Sequence, residues 1–174
     1  MALAAELAES WMPIFYLPEK AADVWGGAVA EGTARRDPSL GALDVIASAG
    51  LAIGGDVAHL RDHGRPQLAL YIGGMGARGR NFYNDLARRF GYEAEAKAIQ
   101  DAYLDGRKDE AAALVPAELV EHTSLIGPES YVAERIAAYR AAGVSTLLIT
   151  PMAPDHEGRL RLIERVRALA DAAG

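Results

Sequence analysis

The sequence predicts an α/β fold with about three parallel strands, helices packed outside them and a helical insert. Three observations lead there. Short segments apolar on both sides, as a buried parallel sheet requires, recur along the chain. Each passage from one to the next is long and helical, which implies parallel pairing with right-handed crossovers. The chain has 174 residues, 51% of them apolar, enough for a core but short of the roughly 250 residues of a complete eight-stranded barrel.

In chain order, Ala2 to Glu9 has a short helical pattern with Leu3 and Leu7 on one face. Met12 to Tyr16 (MPIFY) is the first expected strand. Pro18, whose fixed φ suits a helix start, opens a helix to about Arg36, and Asp37-Pro38 ends it. Leu43 to Ile53 is the second strand region, with the strand itself expected at Val45 to Ile53. Gly54-Gly55 turns the chain, and Asp56 is placed to cap a helix running to about Ile72, broken near Gly64-Arg65 by Pro66. A glycine-rich loop follows from Gly73 to Gly79. Asn81 to Glu121 reads as several short helices punctuated by Gly91, Gly106 and Pro116, with no strand among them. Pro128 opens a further helix closed by Gly143 at the left-handed cap position. Ser145 to Thr150 is the third strand, and Glu157 to Ala172 the last helix. The reading is one domain over residues 1–174, with its helical insert at about 81–121.

Composition narrows the function classes. The net charge of −6 repels phosphate backbones, so nucleic acid is not an expected partner. The absence of cysteine removes disulfides, thiolate metal sites and cysteine nucleophiles. No apolar run approaches the roughly 20 residues that cross a bilayer, and the first ten residues lack the basic start of a signal peptide. A cytoplasmic protein without a membrane partner is expected.

Several constellations bear on chemistry. Gly74-Met75-Gly76-Ala77-Arg78-Gly79 fits G-x-G-x-x-G by letter. A dinucleotide site would need a strand before it and a helix opening at the second glycine. The other readings are a loop without ligand and a phosphate or substrate loop using glycine N–H groups with Arg78 and Arg80. His59 and His63 stand four apart on an expected helix and share a face, but no third ligand is evident, so no metal is expected. No serine lies in G-x-S-x-G. The residues by themselves give no catalytic set.

Four segments, in order, resemble the luciferase-like monooxygenase superfamily, in particular members that use the deazaflavin coenzyme F-420. They are Trp11 to Lys20; Tyr71 to Gly76 leading into Asn81-Phe82-Tyr83-Asn84; Leu125 to Glu129; and Ala142 to Leu147. The resemblance implies a (β/α)8 barrel of which this chain is the C-terminal portion, a half-barrel. Its three strands would be the sixth, seventh and eighth. The implied chemistry is hydride transfer on a small organic substrate, with F-420 or FMN as cofactor. The family's acid-base residues lie mainly in the other half, so none is carried onto this sequence, and the chain alone is expected to bind cofactor weakly or not at all. Cofactor-binding candidates under the resemblance are Tyr16 and Thr150, at strand C-termini, and Gly73, Gly74, Gly76 and Arg78 of the glycine loop. The alternative is an inactive half-barrel that self-associates. In either case two sheet edges and one face should lack partners, and a homodimer is expected. The face expected to be bare carries Ile14, Tyr16, Val45, Ala47, Leu147 and Ile149. A monomer with the 81–121 insert folded over that face is the competing expectation.

Overall fold

The computed structural model describes residues 1–173. They form two compact units. One comprises Met1–Ala58 with the chain from His122 onward and carries the whole sheet; the other, His59–Glu121, is helical.

The sheet unit has four parallel strands. β1 (Ser10–Trp11), β3 (Leu125–Gly127) and β4 (Thr146–Pro151) all pair with the ten-residue β2 (Asp44–Ile53). Hydrogen bonding fixes the edges. The Asp44 and Gly54 N–H groups donate to Glu9 and Gly127, while the Val45 and Leu51 carbonyls accept from Ser145 and Met152. Successive residues of a strand address opposite edges. So β1 and β3 lie along one edge of β2, at its two ends, and β4 runs along the other.

β1 corrects the expected strand at Met12 to Tyr16. Pairing stops at Trp11, and Pro13 has no N–H to extend the ladder. Phe15, at φ 54°, then turns the chain toward the following helix. β3 is a strand the sequence reading lacked. Three apolar residues carry no periodicity, and what makes them a strand is the register of Leu51, Ala52 and Ile53 on Leu125, Ile126 and Gly127.

Helices cover one face of the sheet. α1 (Ala2–Leu7) precedes β1; α2 (Pro18–Ala21), a π-helical turn (Ala22–Gly26) and α3 (Gly27–Thr33) follow it. α1 packs by its alanines, so closely on α3 that a Cβ on Gly32 would sit 2.1 Å from the Ala2 carbonyl oxygen. Leu3 and Leu7 consequently point outward, 65% and 63% exposed. The Arg36 guanidinium holds this corner, donating to the Ala5 and Ala8 carbonyls at 2.9 and 2.6 Å.

The helical unit begins with a 3-10 segment (Ala58–Gly64), continues through α4 (Arg65–Ala69) and a π-helical turn (Leu70–Gly74), then α5 (Phe82–Arg89), α6 (Glu93–Leu104), α7 (Lys108–Ala113) and α8 (Ala117–His122). The break expected near Gly64-Arg65 is present, with Pro66 in the first turn of α4, where its missing N–H is harmless. The α-helix expected from Asp56 is absent: Asp56 lies in a turn ahead of 3-10 structure.

After β3, α9 (Glu129–Ala141) ends as expected at Gly143, at φ 90°, where Val144 N–H donates to Tyr139 and Gly143 N–H to Arg140. α10 (His156–Ala172) is capped by Asp155, whose Oδ1 accepts from Gly158 N at 2.7 Å. Among the described residues no helix is long and apolar enough to cross a membrane.

Candidate functional site

The parallel register decides which side chains share a sheet face. Ala47, Ala49 and Leu51 pair with Leu147, Ile149 and Pro151. These point at the helices: the three β2 residues are buried, and Leu147 and Ile149 line a cavity of about 250 Å³ together with Ile136 and Tyr139 of α9 and Val166 and Ala170 of α10. The other face carries Ile46, Ser48 and Gly50 against Thr146, Leu148 and Thr150. It is open: Leu148 is 53% exposed, and Ser48, Thr146 and Thr150 are exposed. Met12, 59% exposed, places its sulfur 3.9 Å from Ser48 Oγ beside them.

This corrects the set expected to be bare. Tyr16 and Ala47 are buried, and Val45, Leu147 and Ile149 lie on the helical side. Where β2 and β4 pair, the exposed positions are Ser48, Thr146, Leu148 and Thr150, because a slip of one residue in reading a strand inverts its faces.

Of the candidate cofactor residues in the sheet unit, Thr150 stands on the open face at the C-terminal end of β4. Tyr16 does not join it. It lines a concavity of about 600 Å³ on the helical side with Trp11, Trp25, Val45 and the end of α9. Its hydroxyl donates to the Ala142 carbonyl, its ring stacks on Tyr139 at 6.3 Å, and burial raises its pKa.

The glycine loop belongs to the helical unit, where α6 determines its shape. A Cβ on Gly73 would lie 2.5 Å from Tyr103 Cβ, one on Gly74 2.4 Å from Tyr103 Cε1, and one on Gly76 2.4 Å from the Arg80 carbonyl oxygen. Each glycine thus accommodates the protein's own atoms. Arg78 donates to Asp101 at 2.8 Å and lies 3.6 Å from Asp105. The segment before the loop is helical, so the strand a dinucleotide fingerprint needs is not there.

Sequence reasoning quoted the Asn81-Phe82-Tyr83-Asn84 segment but gave no role to its two asparagines, which bond the helical turn ahead of this loop. Asn81 is buried; its Oδ1 caps α5 at Tyr83 and Asn84, and its Nδ2 donates to the Tyr71 and Ile72 carbonyls. Asn84 Nδ2 donates to Ile72 and to Ala96 at 2.7 Å. The π-helical turn shifts its hydrogen-bond pattern by one residue, and these amides satisfy carbonyls there. The available signal was the Asn-x-x-Asn spacing at a helix start.

His59 and His63 fall on the 3-10 segment, where residues four apart are rotated by about 120°, so they do not share a face. No group of three or more metal-ligating side chains occurs among the described residues.

A cluster that sequence did not suggest lies in the sheet unit. Arg135 of α9 is 5% exposed. Its Nη1 donates to Glu19 Oε1 of α2, and its Nη2 donates to Glu19 Oε2 at 3.4 Å and to the His122 carbonyl at 2.8 Å. His122 Nδ1 is 3.7 Å from Glu19, and Tyr139 Oη donates to the same His122 carbonyl. Burial opposes ionisation of Glu19 and is the largest single influence. The Arg135 hydrogen bond, a backbone N–H and the Arg135 and His122 charges together outweigh it, and the Glu19 pKa is lowered.

Comparison with known proteins supplies what the geometry leaves unnamed. The profile of the luciferase-like monooxygenase family matches residues 1–146. A Mycobacterium tuberculosis protein, provisionally named a coenzyme F-420-dependent oxidoreductase, is 38% identical over 152 residues, 86% of this chain and 44% of its own length. The coenzyme F-420-dependent tetrahydromethanopterin reductase of Methanopyrus kandleri has the same fold over 99% of this chain and 45% of its own, with a TM-score of 0.60 at 20% identity. The chain spans less than half the length of these relatives. It belongs to the luciferase-like monooxygenase family.

Proposed function

We propose that the chain forms part of an F-420-dependent oxidoreductase that transfers hydride between the reduced deazaflavin ring and a small organic substrate. The observation that carries this reading is the open sheet face, with Thr150 and the Gly50 to Gly54 stretch at the strand C-termini, the end at which barrel active sites form. The family membership and the F-420-dependent relative support the cofactor class. The deazaflavin would supply the hydride chemistry. The protein's part is to orient the ring against its substrate and exclude water. One sheet face encloses a planar ring on one side only, and tight ligands need most of their surface buried. The chain by itself therefore holds F-420 weakly. NMR titration with F-420, and separately with FMN, tests this. The expected result is fast-exchange shifts at Thr150 and Gly50 to Gly54 with F-420 and a dissociation constant above micromolar. Submicromolar binding would refute the incomplete enclosure; shifts with FMN alone would refute the deazaflavin assignment.

A second reading is an inactive, self-associating half-barrel. It is favoured by the engagement of Tyr16 with Ala142 and of Arg78 with Asp101. Absence of shifts with either cofactor would leave it standing in place of the first.

A further inference from the structure

We propose that the concavity on the helical side of the sheet unit is a binding site for a neutral, planar aromatic molecule of two or three fused rings. It lies on the other side of the sheet from Thr150 and does not rest on the cofactor reading. Floor and walls all belong to elements of this chain. The paired Trp11 and Val45 of β1 and β2 form the floor, α2 and its π-helical turn one wall, and the end of α9 the other.

The residues explain why the space exists. Ala21, Ala22 and Gly26 face Ala138, Ala141 and Ala142 across it, and none has an atom beyond Cβ. A Cβ added to Gly26 would meet nothing within 4 Å. Helices with such small residues between them can approach closely, but here two polar bridges set the spacing. The Tyr16 hydroxyl donates to the Ala142 carbonyl, and Glu19 of α2 accepts from Arg135 of α9. Walls that closed on the space would have to break one of them, leaving a buried polar group or charge unpaired. The concavity is therefore preformed, as small-molecule sites usually are.

The lining selects the ligand. Trp11 stands at 74° to Trp25 and 71° to Tyr16, with centroids 5.3 and 6.3 Å apart. A ring entering such a corner can stack on one neighbour and meet another edge on, the two arrangements aromatic pairs prefer. Irregular backbone supplies the corner: Trp25 lies on the π-helical turn, and Phe15, at φ 54°, directly precedes Tyr16. Both kinds of irregularity concentrate at functional sites. Glu19 is the one charged residue of the lining, and Arg135 already compensates it. A charge on the ligand would find no partner, and burying it would be costly. The volume of about 600 Å³ falls within the range of roughly 300–1,000 Å³ of small-molecule sites.

NMR titration of the full chain with 2-naphthol tests the proposal. Trp11 and Trp25 are the only tryptophans and both line the concavity, so the two indole N–H signals report it directly. Both should shift, with a dissociation constant of roughly 0.1 mM or tighter. Decahydro-2-naphthol, the saturated counterpart, should bind roughly two- to tenfold more weakly. The anion 2-naphthoate should bind roughly tenfold more weakly or worse. Gly26→Leu and Ala141→Leu, one from each wall, should each abolish the naphthol shifts with the circular dichroism spectrum unchanged. Gly27→Leu, exposed and outside the lining, should bind as the wild type does. Indole signals unmoved by 2-naphthol would overturn the proposal. So would equal binding of the saturated alcohol or of the naphthoate, or undiminished binding by both wall variants.

Discussion

The Glu19–Arg135 pair makes a prediction whose sign separates two ways of thinking about ion pairs. Arg135 is buried and its side chain is 6% exposed, whereas that of Glu19 is 39% exposed. Glu19→Gln keeps the size of the side chain and leaves the guanidinium buried with its charge uncompensated. Breaking a fully buried pair costs about 3–5 kcal/mol; with Glu19 more than a third exposed, about 1–3 kcal/mol is expected here. Arg135→Met removes the buried charge itself. Glu19 can then be solvated, and the His122 carbonyl keeps the Tyr139 hydroxyl at 3.2 Å. That change should cost about 0–1.5 kcal/mol. Both tryptophans, Trp11 and Trp25, lie in the sheet unit, so tryptophan fluorescence during urea unfolding reports that unit alone. With a urea slope of about 1.5 kcal/mol/M, a 2 kcal/mol loss lowers the midpoint by about 1.3 M. Protein concentration is held fixed, because association would shift the midpoint. Acid adds a second reading. The Glu19 pKa is lowered from 4.5 in the folded state, so its contribution is present above that value and lost as pH falls through the folded pKa. The gap between wild type and Glu19→Gln should therefore close on acidification below about pH 4.5. Equal losses for the two variants, or a gap that widens in acid, would refute the assignment of the cost to a stranded guanidinium.

Three further outcomes are expected in the helical unit. Gly73→Ala places a Cβ 2.5 Å from Tyr103 Cβ and 3.1 Å from the Ile99 carbonyl oxygen; it should destabilise by about 1–3 kcal/mol, seen as a lower helical melting temperature, and an unchanged melt would show that α6 yields freely. Asn84→Ala leaves the Ala96 carbonyl without the amide donor at 2.7 Å, at about 1–3 kcal/mol; native-state hydrogen exchange should quicken in α5 and α6, and unchanged exchange would contradict the clamp. Asp101, bonded by Lys97 and then Arg78, titrates at about 2; carboxyl NMR should show that value rising in Lys97→Ala and in Arg78→Ala, and a value unmoved by both would exclude these partners as the cause.

Some of this fold was legible in the residues because single local rules decided it. Gly143 could be read as a helix stop because the left-handed conformation is cheapest for glycine. β2 and β4 could be read because ten and six residues of apolar, partly β-branched sequence have few other destinations. β3 has three residues and exists through its neighbour, so no local pattern announces it. The π-helical turn at Leu70–Gly74 depends on Asn81 and Asn84, ten and more residues away. Gly73, Gly74 and Gly76 suggested a ligand loop by letter, while the atoms that require them belong to Tyr103 and to the Arg80 backbone.

The orientation of the sheet shows most clearly where reading a sequence stops. A strand with one wet face advertises its direction by alternation, but a strand apolar on both sides does not. Leu147, Leu148 and Ile149 are chemically alike, yet the outer two contact helices and the middle one is 53% exposed. What distinguishes them is the pairing of Ser48 with Leu148 and of Ala47 and Ala49 with its neighbours. Ala47 and Ala49 are small and buried on the side that α9 and α10 cover; Ser48 is exposed on the other side, beside the Met12 sulfur. The alternation that marks the two faces is therefore written in β2 as Ala-Ser-Ala, a difference of one hydroxyl, and becomes legible only once β4 is laid beside it.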